Sequence, residues 1–286
     1  MRIEVKGITK KYGKKLALDD VSFTLDEPKI YGLLGRNGAG KTTFMDILAG
    51  HQLPTNGKVH VNGKTPFDNR DKLQHICLIK ETGNFFKDMK VKHVLKTYQY
   101  FYPNWDQELA NTLIEVYKLP RKARVKALSK GMASALGIIV GLASNAPITI
   151  FDEPYIGMDA AARKKFYDVL MEEYEENPRT IIFSTHLIDE VSLLFEEVLI
   201  IQDGRLILQE EAEALRNHTF SVTGDQEDVK AFIANKKVMK TKQLAGTMTA
   251  YVYGDKPDVL PSDLAFEGIP IQDIMIYLTE HMKEVS

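Results

Sequence analysis

The sequence predicts an α/β fold: a mainly parallel sheet with an antiparallel β subdomain, a helical insert and a small C-terminal α+β appendage. Residues up to about 63 are rich in short strand patterns that turn residues separate. Residues 85–128 instead repeat apolar positions at helical spacing. Beyond them, short continuous apolar runs alternate with helical patterns, as expected where parallel strands are buried on both faces. These three observations predict a main domain at residues 1–217, with the helical insert at about 85–128, and an accessory region at 218–286.

The individual elements follow in chain order, each supported by its apolar periodicity and by the turn residues beside it. The predicted strands are residues 3–5, 21–25, 30–34, 59–61, 148–151, 180–183, 198–201 and 206–208. Two more strands are predicted around Ala245 and Gly246, one before and one after this pair. The predicted helices are residues 43–49, 91–102, 108–117, 133–144, 227–234 and 273–282.

The glycine-rich segment between the strand 30–34 and the helix 43–49 carries the most information about function. Four residues separate Gly35 from Gly40, and Lys41 and Thr42 follow, which fits the P-loop pattern. Glycines let the backbone approach a ligand, and successive N–H groups then form an anion-binding concavity. The pattern predicts that Lys41 reaches the β- and γ-phosphates of a nucleoside triphosphate and that Thr42 binds Mg²⁺.

The composition of the chain excludes several classes of protein that could carry this motif. The 286 residues carry a net charge of −2, which argues against a surface whose main role is to bind nucleic acid. A single cysteine, Cys77, excludes an internal disulfide, and its apolar neighbours favour a core position. The longest apolar run, residues 135–143, is far shorter than the ~18 residues that a membrane span needs. We therefore expect neither a membrane span nor a lipid anchor.

Two of the predicted strands end in ionisable side chains. Asp152 and Glu153 follow the strand 148–151, and His186 follows the strand 180–183. Strand ends of a parallel sheet face its ligand crevice, so we expect Asp152 near Mg²⁺ and Glu153 near the γ-phosphate, where it can orient or deprotonate water. Two acidic residues after a strand are a weak signal alone, since a solvated loop has them too. A lone histidine is more often structural, but its place at a core strand end favours function.

A second anion site is predicted before the helix 133–144. Ser129 is a good N-cap, so the backbone N–H groups that follow it, including that of Gly131, point away from the helix. One chain has no second nucleotide for this site. The pattern therefore suggests that it binds the nucleotide of a partner chain.

Taken in order, these motifs resemble the nucleotide-binding domain of the ATP-binding cassette (ABC) superfamily. The matching set comprises the phosphate loop, the signature-like residues 128–132, the acidic pair at 152–153, the turn 156–159 and His186. The resemblance covers about residues 1–217 and implies a P-loop NTPase (RecA-like) fold and an ATPase that uses ATP and Mg²⁺. Among members of the superfamily, the chain is most similar to bacterial ATPases of exporter type that are encoded apart from their membrane subunits.

The resemblance implies a role for each matching residue. Tyr12 matches the aromatic residue that stacks on adenine, with an ordinary surface tyrosine as the alternative. Glu153 matches the catalytic carboxylate, His186 the switch histidine and Asp159 an aspartate that communicates across the dimer interface. Lys41 joins Glu153 and His186 as a catalytic residue. The nucleotide-binding positions are Tyr12, Gly35, Asn37, Gly38, Ala39, Gly40, Lys41, Thr42 and Thr43. The metal positions are Thr42, Glu81 and Asp152, the last either directly or through water. The signature positions are Ser129, Lys130 and Gly131.

Three positions depart from the usual pattern of the family. Lys130 replaces a glycine and Met132 a glutamine of the signature, and Glu81 stands where a glutamine is usual. Lys130 could add a charge at the partner's phosphate or point to solvent, which the entropy of ordering its stem slightly favours. Glu81 could still bind Mg²⁺, but its charge would make coupling to the membrane partner depend on metal and pH. These departures bear on turnover and coupling rather than on nucleotide binding.

The resemblance thus implies two copies that close head to tail around two MgATP and power transport, with export favoured, through separate membrane permease subunits. The second copy could be this chain or another ABC ATPase. The protein would then be cytoplasmic and peripheral on the inner face of the membrane. The alternative is a non-transport ABC ATPase that acts on nucleic acid or the ribosome, but such relatives usually carry long coiled coils or two tandem cassettes. A GTPase is disfavoured because the chain lacks an Asn-Lys-x-Asp motif.

Overall fold

A computed structural model describes residues 1–257 and 261–281 of the chain. The strands of this part are β1 (Ile3–Tyr12), β2 (Lys15–Leu25), β3 (Ile30–Leu34), β4 (Asn56–Val61), β5 (Ile76–Ile79), β6 (Ile148–Asp152), β7 (Thr180–Ser184), β8 (Glu197–Gln202), β9 (Arg205–Glu211), β10 (Thr219–Asp225), β11 (Lys237–Leu244), β12 (Thr247–Tyr253) and β13 (Ala265–Gly268). Its helices are α1 (Lys41–Leu48), α2 (Arg70–Leu73), α3 (Val91–Phe101), α4 (Gln107–Val116), α5 (Lys130–Ala143), α6 (Ala160–Glu176), α7 (Ile188–Val191), α8 (Ala212–Asn217), α9 (Gln226–Ile233) and α10 (Ile271–His281).

The predicted mainly parallel sheet is confirmed and forms the centre of the fold. Its six strands lie in the order β5-β6-β7-β3-β8-β9, and β9 alone runs antiparallel to its neighbour. Every residue of β3, β6 and β7 is buried, which explains why these strands appear in the sequence as continuous apolar runs. Because these three strands are parallel neighbours, their carboxyl ends meet at one edge of the sheet.

The predicted antiparallel region is also present, but its strands are longer than the sequence suggested. Strands β1, β2 and β4 form a three-stranded antiparallel sheet in the order β2-β1-β4. The pairing of β1 with β2 shifts register between Val5 and Ile8 and again between Ile8 and Lys10. Such bulges break the alternation of buried and exposed residues, so only residues 3–5 of β1 gave a recognisable strand pattern.

The helical insert contains α3 and α4, close to their predicted bounds. Both helices bury one apolar face, and α4 packs against α5. Helix α5 begins three residues earlier than predicted because the Ser129 hydroxyl accepts a hydrogen bond from the N–H of Met132 and caps it. The insert therefore lies directly beside the predicted signature residues.

The C-terminal region contains its own antiparallel sheet, in the order β11-β12-β10-β13, around a small core that includes Phe220 and Val222. Helix α10 instead buries Ile271, Ile274 and Tyr277 in the core cluster of the central sheet. The last residue of the predicted helix 273–282 lies outside the described residues, as do 258–260 and 283–286. The division of the chain at residue 217 stays a prediction.

Candidate nucleotide site

The phosphate loop joins β3 to α1 at the carboxyl edge of the central sheet. Gly35 and Gly40 have φ angles of 148° and 113°. A Cβ atom on Gly35 would lie 2.1 Å from the carbonyl oxygen of Ile201, and one on Gly40 would lie 2.5 Å from that of Ala17. Neither position has room for a side chain. The loop thus packs directly on neighbouring backbone, and it leads into the N-terminus of α1, whose free N–H groups and dipole favour an anion.

A cavity of about 410 Å³ opens beside this loop and brings together residues from distant parts of the sequence. The predicted site residues that line it are Tyr12, Asn37, Gly38, Ala39, Gly40, Lys41, Thr42, Thr43, Glu81, Asp152 and Glu153. The sequence analysis missed three further lining residues, Lys15, Ala17 and Ser184. Ser184 was detectable as the last residue of β7, whereas Lys15 and Ala17 lie in the part of β2 that gave no strand pattern.

The ammonium group of Lys41 lies inside the loop. Its Nζ donates to the carbonyl oxygen of Gly35 at 2.6 Å and lies 3.4 Å from that of Arg36. Burial lowers the pKa of Lys41, and the carboxylates of Glu153 and Asp152 oppose this shift. Neutral carbonyl groups compensate a partly buried positive charge poorly, so a phosphate that enters the cavity gains a charged partner.

Thr42 and Asp152 provide oxygen atoms that suit a magnesium ion. Thr42 Oγ1 donates to Asp152 Oδ2 at 2.8 Å, and the Glu81 side chain lines the same cavity. Within residues 1–257 and 261–281, no group of three or more His, Cys, Asp or Glu side chains could hold a metal by itself. Mg²⁺ typically combines one or two carboxylates with water and phosphate oxygens of its substrate. The donor set therefore fits a magnesium ion that binds together with a nucleotide.

Glu153 adopts an uncommon backbone conformation at the end of β6. Its φ is 51°, a left-handed value that costs a non-glycine residue roughly 1–3 kcal/mol. Glu153 Oε2 accepts a hydrogen bond from the Tyr155 hydroxyl at 3.2 Å. Burial raises the pKa of Glu153, and the nearby His186 opposes the rise. A carboxylate with a raised pKa at the mouth of a phosphate cavity is suited to act as a base.

His186 lies beside the nucleotide cavity rather than in its lining. Its Nδ1 is 2.7 Å from Glu153 Oε2, so the ring contacts the predicted catalytic carboxylate directly. His186 lines an adjacent crevice together with Gly35, Arg36 and Asn37 of the phosphate loop. The side chain is therefore in place to hold the Glu153 carboxylate and to contact a group that enters the crevice beside the phosphate loop.

The predicted signature residues lie away from this cavity. Ser129 and Lys130 are exposed, and Gly131 is half-buried against the turn at Gly157. Asp159 caps α6 by accepting a hydrogen bond from the N–H of Ala162 at 2.8 Å. None of these four predicted residues lines the cavity of their own chain.

Tyr12 lies at the rim of the cavity, at the end of β1. The side chain is 45% exposed, and its hydroxyl donates to Gln52 Oε1 at 2.5 Å. Lys10 Nζ lies 5.2 Å from the ring centroid. The hydrogen bond fixes the orientation of an exposed aromatic ring beside the phosphate loop, as stacking on a base requires.

A groove of about 850 Å³ separates the phosphate-loop region from the helical insert. Its lining includes aromatic side chains of α3, among them Tyr98, Tyr100 and Phe101, and also Lys80. Lys80 Nζ donates to both carboxylate oxygens of Asp46 in α1, at 2.9 and 3.1 Å. The segment that carries Glu81 is thereby tied to the helix that follows the phosphate loop. Within the described residues, no helix is long and apolar enough to cross a membrane.

Comparison with protein families gives a match to the model described as "ABC transporter" over residues 18–156. An uncharacterised ABC transporter ATP-binding protein, MJ1023 of Methanocaldococcus jannaschii, is 36% identical over 214 residues, 72% of this chain and 76% of that protein. Nod factor export ATP-binding protein I of Mesorhizobium japonicum is 29% identical over 275 residues, 92% of this chain and 79% of that protein.

Comparison with solved structures gives the same fold. The dimeric structure of a post-hydrolysis state of the ATP-binding cassette MJ0796, bound to ADP and Pi, superimposes with a TM-score of 0.65 at 22% identity. The similarity covers 73% of this chain and 98% of the MJ0796 chain. The predicted P-loop NTPase fold class is thus confirmed.

Proposed function

This chain belongs to the ABC transporter family, and we propose that it is the ATP-hydrolysing subunit that powers a membrane transporter. The observation that carries the proposal is the cavity beside the phosphate loop, because it combines Lys41, the Thr42–Asp152 pair and Glu153 in one place. In this proposal residues 1–217 act as the nucleotide-binding domain and the rest as an accessory region.

The chemistry follows from the positions of these side chains. The loop N–H groups and Lys41 bind the β- and γ-phosphates, and Tyr12 stacks on the adenine ring. Mg²⁺, when bound, neutralises charge on the phosphate oxygens. Glu153 orients and deprotonates the attacking water, and burial, which raises its pKa, makes it a stronger base than an exposed carboxylate. His186 holds the Glu153 carboxylate from the side of β7.

Two chains are needed to complete each site. We place Ser129, Lys130 and Gly131 of a second chain against the γ-phosphate, in a head-to-tail pair that encloses two ATP molecules. The exposure of Ser129 and Lys130, away from their own chain's cavity, supports this arrangement. The similarity to a dimeric cassette bound to ADP and Pi also favours it. Hydrolysis removes the γ-phosphate contacts that the two chains share, so the pair opens. Asp159 lies at the interface between the two chains and responds to this loss of contacts.

Transport requires a membrane subunit, and the groove along the helical insert is the surface that suits it. Its exposed aromatic side chains provide an apolar contact, and Lys80 links the groove to α1 through Asp46. Glu81, between groove and cavity, couples the two. The chain then lies on the cytoplasmic face of the membrane through this contact. Export is the favoured direction, since several relatives are named Nod factor export ATP-binding proteins.

ATP turnover by the purified chain tests the enzyme assignment. Glu153→Gln should retain ATP binding and lose hydrolysis by at least 100-fold, whereas Lys41→Ala should lose binding. Glu213→Gln, at an exposed position in α8, is the matched control and should hydrolyse ATP at the unmodified rate. Hydrolysis by Glu153→Gln at that rate would exclude the assigned base. Copurification with an integral-membrane subunit supports transport, whereas copurification with ribosomes or nucleic acid supports the alternative.

A further inference from the structure

The crevice beside the nucleotide cavity is lined by the phosphate loop, by the segment that follows β7, by the end of β8 and by one helix of the accessory region. Helix α10 is that helix and contributes Gln272, Met275 and Ile276, which face Arg36 and His186 across about 650 Å³. The accessory region thus reaches the same edge of the sheet as the catalytic residues. Nothing in the sequence pattern of α10 indicated this position.

Helix α10 is held firmly in this place. Ile271, Ile274 and Tyr277 are buried in the core cluster of the central sheet. Gln202 Nε2 at the end of β8 donates to the carbonyl oxygen of Thr279 at 2.9 Å, in a buried hydrogen bond. Ile201, the residue before Gln202, packs through its carbonyl group against Gly35 of the phosphate loop. The end of β8 therefore contacts both α10 and the phosphate loop, and it sets the distance between them.

The crevice borders the nucleotide cavity, because Asn37 and Ala39 line both. A second chain that brings Ser129 to the γ-phosphate must cover the nucleotide cavity, and His186 contacts Glu153 in the lining of that cavity. On the crevice side, Gln272 and Ile276 of α10 are half-buried in the single chain. Helix α10 thus lies beside the surface that a closing chain must cover.

We propose that α10 is part of the interface between two copies of this chain, and that its Gln272, Met275 and Ile276 contact the second copy when ATP is bound. This rests on the proposed head-to-tail dimer. The accessory region then takes part in closure of the ATP site. The other possibility, that α10 only braces the core of its own chain, is an outcome of the test below.

Cysteine labelling provides that test because the chain has one cysteine, Cys77, and it is fully buried. Gln272→Cys is introduced into the Glu153→Gln chain, and the rate of reaction with a maleimide is measured. We expect MgATP to slow labelling at least tenfold at protein concentrations that give a dimer by gel filtration. MgADP, or MgATP with protein diluted until it is monomeric, should give no protection. Leu244→Cys, in the same region and 81% exposed, is the control that should react equally in every state.

Each outcome separates the two proposals. A dimer that leaves the cysteine at position 272 fully reactive overturns the role of α10 but not the proposed function. Equal protection by MgADP, or in the monomer, also overturns it, because the chain's own nucleotide then covers the crevice. Absence of an ATP-dependent dimer overturns the dimer itself and this inference with it. If Gln272→Cys does not fold, Ile276→Cys on the same face of α10 gives the same test.

Discussion

The substitution Gly131→Ala tests whether the signature segment must pack tightly on the turn that carries Asp159. A Cβ atom on Gly131 would lie 2.5 Å from the carbonyl oxygen of Gly157, whereas ordinary contact begins at 3.4 Å. The opposing oxygen is a backbone atom that cannot rotate away, so α5 and the turn must separate by about 0.9 Å. Alanine gains at most ~1 kcal/mol of helix propensity, and overpacking costs about 1–3 kcal/mol. If the full propensity gain is subtracted, the fold should be destabilised by roughly 0–2 kcal/mol.

The assay combines thermal unfolding, nucleotide binding and ATP turnover. We expect Tm to fall by up to roughly 8 °C, since ~1 kcal/mol shifts Tm by about 2–4 °C in proteins of about 150–250 residues. ATP binding by the single chain should stay within about twofold, because Gly131 lies outside the nucleotide cavity. Hydrolysis should fall at least tenfold, the effect of ~1.4 kcal/mol at the displaced partner site. Gly268→Ala is the control, since nothing lies within 4 Å of its Cβ position. Unchanged Tm and turnover for Gly131→Ala would refute the reasoning.

Three further substitutions address the charges around the phosphate loop. Burial raises the pKa of Glu153, so its ionised form destabilises the folded chain at high pH. Glu153→Gln should therefore raise Tm at pH 8, and this gain should vanish as the pH falls below the ordinary carboxyl pKa. A lower Tm of the variant at pH 8 would contradict this. Burial lowers the pKa of Lys41, so Lys41→Met should raise Tm of the nucleotide-free chain at pH 7. The same variant should abolish the increase in Tm that ATP produces in the unmodified chain. If ATP still increased the Tm of Lys41→Met, Lys41 would be excluded as a phosphate ligand. Asp152→Asn removes the charged partner of Thr42 Oγ1. The Mg²⁺ concentration for half-maximal hydrolysis should therefore increase at least tenfold. An unchanged Mg²⁺ concentration for half-maximal hydrolysis would exclude Asp152 as a metal position.

The sequence could predict much of the fold because strand burial and helix periodicity leave direct marks on it. Strand β3 lies at its predicted residues, and β6 and β7 extend one residue further, because they are buried on both faces and appear as apolar runs. Strand β13 has only four residues, none of them buried, so it gave no pattern. Strand β5 was also missed, since its four residues lie before the helical insert, outside the alternation of apolar runs and helical patterns that indicated β6, β7 and β8.

The candidate site was predictable to the extent that its residues lie in motifs. The phosphate loop, Asp152 and Glu153 are contiguous with core strands, and the structure brings them into one cavity. Lys15 and Ala17 enter that cavity only because β2 folds over the loop, a contact that depends on tertiary structure. The hydrogen bond between Lys80 and Asp46 likewise joins residues 34 positions apart and has no local sequence signal.

The association state of Glu153→Gln with MgATP tests the central claim most directly. This variant should bind ATP without hydrolysing it, so the contacts from Ser129 and Gly131 of the second chain to the γ-phosphate persist. Light scattering after gel filtration should then give twice the mass of one 32.4 kDa chain with MgATP, and the mass of one chain with MgADP. A monomer with saturating MgATP at all protein concentrations would contradict the shared ATP site.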